Sequence, residues 1–121
     1  MRTSLKKRSV VFFVQDGCLV RIVAGNAGDD RTYTHRCAKQ AFETVAHALA
    51  ETPMNGDGIT LTALARQEKL PFTQVNVALE FLKERGLVVV RHRRCYPATQ
   101  GDLYLDAMVE YHALAEGDKF A

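Results

Sequence analysis

The chain has 121 residues, a formal net charge of +2, 47% hydrophobic and 25% charged residues. That is enough chain for one domain with a single core, and the composition is that of an ordinary soluble globular protein. A charge this small argues only weakly for an anionic partner. Its distribution says more, with Arg2, Lys6, Lys7 and Arg8 at the start and Arg91, Arg93 and Arg94 close together.

Three well-separated cysteines, Cys18, Cys37 and Cys95, read as free thiols in a reducing compartment. The apolar run Val10 to Val14 behind the basic tail imitates a signal peptide, but Gln15 and Asp16 break it short of the length a secretory core needs. No stretch approaches transmembrane length. The expectation is a cytoplasmic protein with no membrane partner.

In chain order, residues 1–9 read as a solvated, loose tail rather than an arm that touches phosphates. Residues 10–24 read as a β-hairpin, because two β-branched and aromatic runs flank Asp16-Gly17, a strong two-residue turn signal. The first run is apolar on both faces, so the hairpin must extend a sheet or meet a second chain. Residues 25–31 read as a turn-rich loop without the Gly-Lys-Ser/Thr of a phosphate loop or the spacing of a calcium site. Residues 34–51 read as a helix capped by Thr34. Its apolar stripe is Ala38, Ala41, Phe42, Val45, Ala48 and Leu49, and the helix carries His35, Cys37 and His47. Residues 54–58 are a flexible link.

Residues 60–85 read as two helices joined by a tight turn. Thr60 is a good N-cap, Leu61, Leu64 and Ala65 recur at helical spacing, and Leu70-Pro71 closes the turn. Val75, Ala78, Leu79 and Leu82 share one face of the second helix, which ends at Arg85-Gly86 with a left-handed cap. Ala65 is small enough to let the helices cross. Residues 87–98 read as a second hairpin, with a turn at His92-Arg93-Arg94. Residues 101–116 read as a last helix whose apolar positions cover more of its circumference than one stripe requires.

The ordered runs T-L-T-A-L-A, L-P-F-T-Q-V, F-L-K-E-R-G-L-V and Y-P-A-T-Q-G are similar to those of winged helix-turn-helix transcriptional regulators of the MarR, PadR and IclR kinds, over about half the chain. The resemblance implies an α+β fold, a winged helix-turn-helix with an extra N-terminal β-hairpin and a C-terminal helix. It also implies a regulator that reads duplex DNA with helix 72–85 and a basic wing. A homodimer through the C-terminal helix is implied too, with the N-terminal hairpin as a second candidate surface.

Two features depart from the family's pattern. Lys69 stands where glycine is usual, and a left-handed lysine would cost about 1 kcal/mol, which predicts a turn of another shape. Nor does the second helix carry a basic residue between Phe72 and Leu82.

The candidate DNA-binding residues are Thr73, Gln74, Asn76 and Val77 on the outward face of the second helix and Arg91, Arg93 and Arg94 in the wing. Amide side chains suit adenine edges, and arginines can hold phosphates or enter a minor groove. The rival reading is a winged-helix protein-interaction module that never touches DNA, favoured by Phe72, Val77 and Glu80. No nucleophile elbow, phosphate loop or paired acid–base carboxylates point to an enzyme, and no spacing of His and Cys, His92 and Cys95 included, makes a zinc ligand set. Neither catalytic residues nor a cofactor are expected.

Overall fold

The computed structural model describes residues 9–25 and 31–118. The readings of residues 1–8, 26–30 and 119–121 lie outside the described residues. The fold is mixed α+β, with four helices and two small antiparallel sheets among the described residues.

Strands β1 (Ser9–Gln15) and β2 (Cys18–Ala24) pair residue for residue. Asp16 and Gly17 connect them with φ of 53° and 76°, the two left-handed positions of a turn whose twist suits a hairpin. A third strand, β3 (Thr32–Ala38), then pairs with the other side of β2.

This strand corrects the helix expected over 34–51. Helix α1 spans Lys39–Ala50, and its N-cap is Ala38, with no side-chain cap, rather than Thr34. Tyr33, His35 and Cys37 alternate with Thr34 and Arg36, a period of two that competes with the helical stripe beginning at Ala38. Pairing with β2 satisfies the strand's backbone groups and decides the contest. His35 and Cys37 therefore lie on the sheet and not on α1.

The remaining elements run β4 (Ile59–Thr60), α2 (Leu61–Glu68), α3 (Phe72–Glu84), β5 (Val88–Arg91), β6 (Arg94–Pro97) and α4 (Leu103–Asp118). The second sheet has the order β4-β6-β5. The hairpin turn is the pair His92-Arg93, so Arg94 belongs to β6 and not to the turn. Helix α4 starts after Asp102, whose carboxylate accepts the Leu105 N–H at 3.0 Å.

One core joins both sheets. Phe81 of α3 meets Phe12 of β1 edge-on at 5.4 Å and Phe42 of α1 at 5.8 Å, and Phe42 meets Tyr111 of α4 at 5.5 Å. The first sheet therefore packs on α3. Phe12, Leu19 and Cys37, which share a face by register, sit in this core. The Tyr111 hydroxyl donates to the Gly17 carbonyl at 3.0 Å and pins α4 to the first turn.

Candidate functional site

The site is built from the ends of three elements: the start of α2, the exposed arc of α3 and the tip of the β5–β6 hairpin. Thr60 starts α2, its hydroxyl accepting the Ala63 N–H at 3.1 Å. The helix ends at Lys69, which takes φ 58° and ψ 45°. The turn thus has the left-handed shape that glycine would give, against the expectation drawn from lysine. Two hydrogen bonds make up for the strain. Leu70 N–H reaches the Ala65 carbonyl at 3.0 Å and Lys69 N–H reaches that of Arg66 at 3.4 Å, the paired pattern of a glycine-type helix end. Ala65 and Val75 are buried where α2 and α3 cross.

Helix α3 buries more of its surface than its apolar spacing implies. Val75, Val77, Ala78, Leu79, Phe81 and Leu82 are all buried. Val77, expected to face outward and read DNA, is 0% exposed, and that assignment is corrected. Gln74, Val77 and Phe81 fall on one stripe of the helix, at i, i+3 and i+7. Both ends of that stripe are held by the first sheet: Gln74 Oε1 accepts the Ala38 N–H at 3.0 Å, and Phe81 meets Phe12. Gln74 is therefore a half-buried structural acceptor and does not point outward. The arc left open carries Phe72, Thr73, Asn76, Glu80, Lys83 and Glu84, of which Phe72 is 54% exposed.

The three hairpin arginines separate. Arg91 lies over the Tyr96 ring at 4.2 Å and donates to the Met54 carbonyl at 3.4 Å. Arg94 donates to the Asp57 carbonyl at 3.2 Å. Both guanidinium groups are drawn to the 52–58 loop. Gly58 makes that approach close: at φ +69°, an added Cβ would come within 2.7 Å of the Tyr96 ring.

Arg93 alone of the three turns toward α3. It borders a cleft of about 140 Å³ lined by Leu61, Asn76, Glu80, Lys83 and Val90, and a second recess beside Thr60 and Thr62. Thr62, Asn76, Lys83 and Arg93 therefore share one side of the molecule. Lys83 there pairs with Glu80 at 3.1 Å, while Arg93 adds a positive charge. That pair is solvent-exposed and contributes little to stability.

His92 and Arg93 both adopt positive φ, 52° and 67°. This turn type favours Asn-Gly, and each other residue held there costs about 1–2 kcal/mol.

Comparison of the chain with protein-family models, with curated proteins and with solved structures finds no match.

The two buried thiols are chemically quiet. Burial pushes the Cys37 thiol up to about 12, with Cys18 adding to the rise, and burial raises Cys95 as well. A thiol held neutral is a poor nucleophile and metal ligand. Among the described residues no three His, Cys, Asp or Glu side chains gather as metal ligands, and no helix is long and apolar enough to cross a membrane.

Proposed function

We propose that the chain is a winged-helix domain that binds duplex DNA as a small regulator, with a narrower footprint than the sequence suggests. The order of helix, short strand, two helices and hairpin supports the winged-helix reading, as does the sheet order β4-β6-β5. Thr62, Thr73, Asn76 and Arg93 are the contacts. Asn76 suits an adenine edge, the threonines suit phosphate, and Arg93 suits phosphate or a minor groove.

The observation that carries the reading is the strained turn. His92 and Arg93 occupy left-handed positions that Asn-Gly would fill without strain. Strain kept at an exposed tip, where a cation meets the open arc of α3, points to use of that tip.

A second reading has its own support. Phe72 is exposed, and Glu80 and Glu84 would face a phosphate backbone unfavourably, which suits a protein partner for the same surface. Fluorescence anisotropy of a labelled random duplex, titrated at several salt concentrations, separates the two. A DNA binder loses affinity steeply as salt rises, by about 0.9 logarithmic units per phosphate contact for each tenfold rise in salt. No binding at low salt leaves the protein-interaction module.

Helix α4 supports a homodimer. Leu105 and Val109, one turn apart, are 57% and 56% exposed, while Leu103, Ala107, Met108 and Tyr111 on the opposite side are buried. An apolar pair left over after α4 has packed on α1 suits a two-fold contact with a second copy.

A further inference from the structure

A groove of about 640 Å³ lies apart from the α3 cleft and shares no lining residue with it. It opens where the end of α1, the 52–55 loop, the hairpin and the start of α4 meet. Its size is within the range of small-molecule sites. Pro53, Pro97 and Leu103 give it apolar walls, and Thr52, Asn55 and Thr99 line it with polar groups.

One charged side chain lines it, that of Arg91, and no Asp, Glu or Lys does so among the described residues. Arg91 is held in place before any ligand arrives, by the Tyr96 ring and the Met54 carbonyl. Among the described residues it has no carboxylate partner, and those two contacts leave other guanidinium N–H groups available.

We infer that this groove binds a small organic anion, with a single carboxylate or phosphate head on Arg91 and an apolar body against Pro53, Pro97 and Leu103. A planar guanidinium fork matches either head group, and a groove whose lining carries one cation favours an anion over a cation. An occupant would tie the hairpin to the 52–55 loop and the base of α4. This inference stands whether or not the α3 face meets DNA.

The test is a titration of the isotope-labelled full chain, followed by NMR, with benzoate, phenyl phosphate and the neutral benzamide. Benzoate or phenyl phosphate should shift the amides of residues 52–55 and 99–103 and the Arg91 side-chain N–H, with half-saturation of the order of 1 mM. Whichever of the two binds tighter identifies the head group. Arg91→Gln should raise the half-saturation concentration about tenfold or more, and Arg93→Gln should leave it unchanged. Equal binding of benzamide would overturn the inference, as would an undiminished response in a folded Arg91→Gln protein. No response to either anion at about 10 mM would overturn it too. If Arg91→Gln does not fold, benzoate against benzamide on the natural chain decides.

Discussion

The Gln74 side-chain carbonyl accepts a hydrogen bond from the Ala38 backbone N–H at 3.0 Å, joining the first turn of α3 to the point where β3 becomes α1. Ala38 has no side-chain cap to offer the helix, and Gln74, from a distant part of the chain, takes up the N–H of this N-cap residue itself. Gln74→Ala should therefore destabilise the fold by about 1 kcal/mol in urea unfolding, with no loss of DNA affinity. Val77→Ala, on the same stripe, should cost about 2 kcal/mol by removing a fully buried side chain. If either replacement weakens DNA binding at full stability, the residue faces outward after all.

At the hairpin tip, stability and binding should move in opposite directions. Replacing His92-Arg93 by Asn-Gly relieves two left-handed strains, partly offset by the chain entropy that glycine loses on folding, and should stabilise the fold by about 1–2 kcal/mol net. It also removes the Arg93 charge, so the slope of log affinity against log salt should fall by about 1. A variant that is more stable and binds as well as the natural chain would show that the tip plays no part in binding.

The buried thiols make the fold sensitive to alkali. Burial pushes the Cys37 thiol from an ordinary 9.0 up to about 12. The folded state therefore favours the neutral thiol. Its contribution is complete below pH 9.0 and is lost as pH rises toward about 12. The slope is about 1.4 kcal/mol per pH unit for one such group. Cys37→Ala should flatten the alkaline limb of the stability curve, leaving the shares of Cys95 and Tyr111, both raised by burial. Under native conditions a thiol reagent should modify half-buried Cys18 first, and Cys37 and Cys95 only as the protein opens. Equal reaction of all three would refute the burial argument.

Replacing Leu105 and Val109 by glutamate tests the dimer. Both side chains are exposed in the single chain, so the double variant should keep its stability within about 0.5 kcal/mol. Sedimentation of the natural chain should give a dimer, and that of the variant a monomer. A natural chain that stays monomeric at high concentration removes this contact.

Features set by local chemistry were legible from the residues. Asp16-Gly17 specifies its hairpin, Thr60 caps α2, and Gly86 closes α3 at φ +78°. These need only their near neighbours. The errors at β3 and at Val77 share one origin. Residues 34–38 carry both a strand period and the start of a helical stripe, and the choice depends on β2, which pairs with them. With residues 34–38 read as helix, nothing covers the Gln74–Val77–Phe81 side of α3, and Val77 reads as outward. The hairpin arginines held a usable signal. Val90 and Cys95 pair and face α3, so alternation already sends Arg91 to the opposite side. The hold of Met54 and Asp57 on Arg91 and Arg94 had no such signal, because it comes from the path of the 52–58 loop.

The most direct test of the central claim is an NMR map of the chain bound to a short duplex at low salt. One surface, made of the start of α2, the open arc of α3 and the hairpin tip, is expected to meet DNA. The account predicts shifts at Thr62, Thr73, Asn76, His92 and Arg93, fading as salt rises, with residues 11–22 and 103–109 unmoved. Shifts confined to the first sheet or to α4, or no shift at any salt, would contradict it.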